Sequence, residues 1–191
     1  MKIKIYLLTL LFSAFVNAQD NYSINNLQEE NSKLSKSAQL QKILSIPYDK
    51  FVGNIKTSEI LANKAVSLAL ELNDSISLAK SYVQLAQIYT YKDKRDKKVE
   101  YNLKAINVYE DIGELAKAGY AYGELGYSIK REDLKNALFY MRKGIYLIEN
   151  FSAAIKIDAT YDNYGILQGM KKNYDSALYY HNKSLTIKKL N

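Results

Sequence analysis

His181 is the single imidazole of a 191-residue chain that contains no cysteine. Proton transfer near neutral pH and imidazole-assisted nucleophilic attack would both have to run through it. A zinc site needs several nitrogen, sulfur or carboxylate ligands, so thiolate sites and multi-histidine sites are excluded. The carboxylates add little. Glu29-Glu30 and Glu110-Asp111 are sequence neighbours, and neighbours on a helix diverge by about 100°, which makes poor acid–base pairs. A catalytic reading would rest on His181 or on a lone carboxylate such as Asp162. No glycine loop able to cradle a phosphate is present. The residue inventory therefore points to binding, with no catalytic residue, no metal and no cofactor.

The elements that would carry a binding surface are legible as self-similarity at 39 or 40 residues. Tyr82, Tyr122 and Tyr161 align, as do Leu85, Leu125 and Tyr164, beside the small column Ala86, Gly126 and Gly165. A second set aligns Leu61, Tyr101, Tyr140 and Tyr180, then Ala65, Ala105, Gly144 and Ser184, then Val66, Ile106, Ile145 and Leu185. Apolar residues within each set recur at helical spacing. Asp74, Asp133 and Asn173 suit helix N-caps, and Gly113 and Asn150 suit left-handed helix ends. The pattern predicts an all-α fold, with helices near 27–46, 56–72, 75–91, 97–112, 115–130, 134–149, 153–170 and 174–190, and no strand. Pro47 breaks the first of them. Six of the 18 tyrosines, Tyr82, Tyr101, Tyr122, Tyr140, Tyr161 and Tyr180, fall in core columns as packing residues, and the small column lets paired helices approach closely.

Tyr122, Leu125-Gly126 and Ile129 on one helix, with Ala137, Met141 and Gly144 on the next, carry a family pattern. Tyr161, Tyr164-Gly165, Tyr174, Ala177 and Ser184 repeat it. In these motifs residues 56–190 resemble the tetratricopeptide repeat family, without its closing proline and with a period longer than its usual ~34 residues. The longer period is similar to that of exported bacterial signalling proteins. The resemblance implies a right-handed solenoid of about four antiparallel helix pairs that binds a protein or peptide on a concave wall. Carried over position by position, that wall is Lys80, Val83, Gln87 and Tyr91, then Tyr120, Gly123, Tyr127, Lys130 and Arg131, then Asp162, Ile166 and Met170. It lacks the repeated Lys and Asn with which some relatives hold a peptide's terminal carboxylate. His181 takes the place of the second-helix aromatic and is expected to pack, partly buried.

The formal charge is +7. Lys92 to Lys98, Lys130-Arg131 and Lys171-Lys172 fall in corresponding turns, which stacking would align as a basic stripe or leave as ordinary solvated turns. The interleaved Asp93, Asp96, Glu132 and Asp133 argue against nucleic acid. At the N-terminus, two lysines precede the apolar run Ile5 to Phe15, and Val16-Asn17-Ala18 follows it. This is the pattern of a secretory leader cleaved near Ala18, with a run too short for the ~20 residues of a membrane span. The expected plan is a leader at 1–18, an N-terminal segment with a degenerate first helix at 19–55, and repeats at 56–191, in an exported protein, periplasmic or secreted. The final helix carries Leu178, Tyr180, Leu185, Ile187 and Leu190 and lacks the polar cap that a solenoid normally has. A homodimer through that helix would cover it. The alternative is the sensor ectodomain, or a fragment, of a membrane histidine kinase or a tetratricopeptide-containing transcription regulator, with a membrane-associated signalling partner.

Overall fold

The computed structural model describes residues 33–151 and 157–190. The proposed leader, Glu29-Glu30, the first residues of the helices expected at 27 and at 153, and the side chain of Leu190 lie outside the described residues. The helices are α1 (Lys36–Leu44), α2 (Tyr48–Gly53), α3 (Ile55–Glu71), α4 (Ser75–Tyr91), α5 (Arg95–Asp111), α6 (Leu115–Ser128), α7 (Leu134–Phe151), α8 (Asp158–Met170) and α9 (Tyr174–Leu190), with no strand among the described residues. They pack as consecutive pairs α4/α5, α6/α7 and α8/α9, preceded by α1 against α3. The protein is an all-α solenoid.

Side chains and turns set the boundaries. Asp74 accepts the Ser77 N–H at 3.0 Å, and Asp133 accepts that of Asn136 at 3.0 Å. Each satisfies an orphan donor of a first helical turn. Four helix ends share one closing bond: Asp74 N–H to Ala69 O, Lys94 to Tyr89, Glu114 to Tyr109 and Asn173 to Gln168, at 2.8–3.0 Å. This is a Schellman closure, which needs a left-handed residue just before the donor. Asn73, Asp93, Gly113 and Lys172 supply it, with φ of 53°, 52°, 74° and 63°. Asn150, expected to do the same, does not. The α7 helix runs through it to Phe151, and its side chain donates to Tyr146 O at 2.8 Å. Pro47 breaks the first helix as expected but also starts α2, an unanticipated short helix, because its fixed φ suits a helix start.

The small column sits where helices cross. A Cβ built on Gly126 would lie 2.7 Å from Ala137 O, and one on Gly144 2.5 Å from Gly119 O, so α6 and α7 meet backbone to backbone. Tyrosines bridge the wider gaps, with Tyr82–Tyr101, Tyr122–Tyr140 and Tyr161–Tyr180 ring centroids 5.9–6.0 Å apart. They also tie one pair to the next. The Tyr122 hydroxyl donates to Glu110 at 3.0 Å, and Lys143 donates to both Glu110 (3.0 Å) and Tyr122 (2.6 Å). One repeat further on, Tyr161 donates to Glu149, which also accepts from Lys183 at 2.7 Å. The ammonium lies over the tyrosine ring in both clasps, 4.2 and 4.3 Å from its centroid, adding cation–π attraction to the ion pair.

Candidate functional site

The first helices of the pairs, α4, α6 and α8, hold the expected wall positions except Lys130 and Arg131, which lie in the α6–α7 turn. Gln87 and Val83 on α4 meet Tyr120 on α6 across a narrow recess of about 10 Å³, lined also by Lys98 and Asn102 of α5 and by Glu124. Asn102 is 2% exposed, and its side-chain Nδ2 has no hydrogen-bond partner. A buried amide N–H left unpaired costs on the order of 1–3 kcal/mol. Lys98 and Glu124 pair loosely at 3.6 Å. Burial, reinforced by Glu124, pushes the Tyr120 hydroxyl up to about 12, so it stays a neutral donor at neutral pH.

The other expected wall residues lie in varied surroundings. Lys130 lies over the Tyr127 ring, 3.4 Å from its centroid, and donates to Tyr127 O at 3.1 Å. Burial holds its ammonium below the usual lysine range, helped by Arg131 and Lys98. Lys80, Tyr91, Arg131 and Met170 are exposed, and Ile166 is half-buried. Gly123 instead belongs to the helix packing, where a Cβ would lie 3.2 Å from the Thr160 methyl group. Asp162 and His181 form a pair that sequence alone does not join, Nδ1 to Oδ1 at 2.8 Å. His181 also lies flat on Gly165, whose Cβ would fall 2.8–3.0 Å from three ring atoms. It packs as expected and in addition anchors Asp162. Among the described residues no group of three metal-ligating side chains comes together.

Sequence reading missed Lys98, Asn102 and Glu124. Asn102 stands in register with Met141 and His181, 39 and 40 residues apart, so a polar residue in an apolar column was the available signal. The basic stripe is neutralised only in part, since Lys130, Arg131, Lys171 and Lys172 form no ion pair among the described residues. Lys92 pairs with Glu59 at 2.6 Å, Arg95 with Glu132 and Lys97 with Glu100 at 2.8 Å. Lys92 and Arg95 reach acids of neighbouring units that sequence neighbours do not reveal.

An array of stacked helix pairs defines a helical-repeat protein. Two solved helical-repeat proteins share this architecture. The chain matches BtubC (BKLC) from P. vanneervenii with TM-score 0.68 and 16% identity, over 91% of this chain and 72% of that one. It matches the apo form of RapI with TM-score 0.73 and 14% identity, over 87% of this chain and 62% of that one. No family model and no curated protein matches. No helix of the described residues is long and apolar enough to cross a membrane.

Proposed function

We propose that this chain is a tetratricopeptide-like scaffold, exported after cleavage near Ala18, which performs no chemistry and binds an extended protein or peptide segment along α4, α6 and α8. The unpartnered Asn102 amide carries the reading. An extended peptide presents a carbonyl every residue, and the Gln87, Tyr120 and Glu124 side chains around the recess supply donors and acceptors for its neighbours. Tyr91 and Tyr127 extend the wall with rings that add apolar contact and keep a polar tip. Peptides selected on the purified protein from a random library test it. Asn102→Ala and Tyr127→Ala are each expected to weaken the selected peptides at least about tenfold, the loss of one anchor. Tyr146→Ala, an exposed position on α7, should leave them unchanged. Peptides indifferent to both wall substitutions would place binding elsewhere.

A second reading concerns assembly, and the flank of α9 favours it. Leu178 and Leu185 are 62% and 48% exposed, whereas Ile106 and Ile145, in register with Leu185, are 1% and 6% exposed beneath the following pair. A second copy would cover this flank. Antiparallel pairing about a two-fold axis between positions 181 and 182 sets Leu178 over Leu185 and Asp175 opposite Lys188. Parallel pairing would set Lys188 against Lys188. Light scattering over a concentration series is expected to show a monomer–dimer equilibrium that Leu178→Glu or Leu185→Glu abolishes. A monomer mass at every concentration would remove this face from assembly.

A further inference from the structure

A second groove lies away from the wall recess, between α7 and α8 at the edge where the α6–α7 and α8–α9 turns meet. Its volume is about 540 Å³, within the size range of small-ligand sites. Leu138, Phe139 and Tyr164 give it an apolar floor, and Lys135, Arg142 and Lys171 ring it. No carboxylate lines it. The three cations are exposed and form no ion pair among the described residues. Lys135 only contributes to the field at Asp133. Gln168 also lines the groove, is 8% exposed, and its Oε1 is buried without a donor.

The groove is peculiar to this unit. Thirty-nine residues earlier, Asp96, Glu100 and Glu132 stand where Lys135, Phe139 and Lys171 stand here, and Ile129 stands where Gln168 does. In that earlier unit Arg95 pairs with Glu132 across the gap between α5 and the α6–α7 turn. Leu134 and Lys171 occupy the corresponding positions here and cannot pair. Repeat packing therefore explains neither the opening, nor the change from acid to base, nor the buried acceptor.

These features specify a ligand. The exposed cations favour an anion and the aromatic floor an apolar body, while Gln168 Oε1, buried behind the lining, lacks an N–H or O–H donor, which a carboxylate cannot supply. A guanidinium and two ammonium groups suit a carboxylate well. We infer that this groove binds an apolar carboxylate with an amide N–H beside it, the chemistry of an N-acylated aromatic or aliphatic amino acid. That group can arrive as a free small molecule or as the C-terminal residue of a peptide. The site goes beyond the proposed wall and shares no residue with it.

Calorimetric titration of the purified protein with N-acetylphenylalanine tests the inference, alongside its C-terminal amide, O-acetyl-phenyllactic acid, and hexapeptides ending in a free or an amidated phenylalanine. Free carboxylates should bind and both amides should not. Arg142→Gln should weaken the carboxylates about tenfold, as expected for one charge-assisted bond. The wild type should prefer N-acetylphenylalanine over the ester, which lacks the N–H, and Gln168→Leu should erase that preference, an effect that general loosening would not produce. Tighter binding of the free-acid hexapeptide than of N-acetylphenylalanine assigns the site to peptide termini, and equal binding assigns it to small molecules. Equal binding of acids and amides, no binding of any probe, or indifference to Arg142→Gln would overturn the site. Tyr127→Ala should leave these affinities unchanged, so failure here and failure of the wall are separable.

Discussion

Gly126→Leu is expected to destabilise the protein by about 3 kcal/mol or more, at or beyond the usual cost of overpacking. Even the first added carbon would fall 2.7 Å from Ala137 O and 3.0 Å from Met141 N. Both are main-chain atoms of α7, so no rotamer change can relieve the contact, and the helices must separate. Separation would also open the second contact of the same crossing, where Gly119 and Gly144 meet. Gly169→Ala is the matched control. Its new carbon would find its nearest neighbour, the Ala177 Cβ, at 4.0 Å, so stability should hold or rise by up to about 1 kcal/mol through the lower backbone entropy of alanine. Urea denaturation of both variants reads the difference, and an unchanged midpoint for Gly126→Leu would refute close approach at this crossing.

How much of this was legible differs by kind of interaction. The helices at 75–91 and 174–190 coincide with α4 and α9, because periodicity and an N-cap residue are local signals. Gly126 was legible as part of a repeating column, whereas Gly119 was not, since it lies outside that column. The spacing of Gly119, Gly123 and Gly126, at i, i+4 and i+7, could have shown one continuous glycine seam on α6. The left-handed Asn73, Asp93 and Lys172 were illegible for a different reason. Their conformation is imposed by the closing hydrogen bond of the helix before them, which accepts a polar residue as well as a glycine. Gln87 and Tyr120 were legible only as positions that the family resemblance implies. Their shared recess depends on a third helix supplying Asn102, and no spacing along one helix encodes that. The Asp162–His181 pair spans two helices in the same way.

The acid and base limits of stability follow from buried and paired side chains, and the alkaline limb should be the steeper. Burial pushes the Tyr109 and Tyr120 hydroxyls up to about 12, each reinforced by a glutamate, Glu114 and Glu124 respectively. Tyr89 reaches about 12 chiefly because it donates to Glu59, with burial adding to the effect. An unfolded tyrosine releases its proton near 10. The folded state thus holds these protons more tightly, and the stability they contribute is complete below pH 10 and lost as pH rises from 10 to 12. Two pH units correspond to roughly 2–3 kcal/mol per group. Tyr109 and Tyr120 together would remove about 5 kcal/mol, comparable to the whole stability of many domains of this size. Helical circular dichroism should therefore collapse cooperatively between pH 10 and 12, in step with the phenolate absorbance. Tyr109→Phe keeps the ring and removes one titrating group, so its alkaline midpoint should move to higher pH. On the acid side, Lys92 and Tyr89 hold the Glu59 carboxyl below its usual range, a contribution present above the unfolded value and lost as pH falls through the lower, folded one. That pair is partly exposed and worth little, so the acid limb should be shallow. A gradual rise in phenolate absorbance starting near pH 10 with no loss of helix would mean that the tyrosines titrate in the folded state, and that Tyr109 and Tyr120 are more open to water than their packing implies.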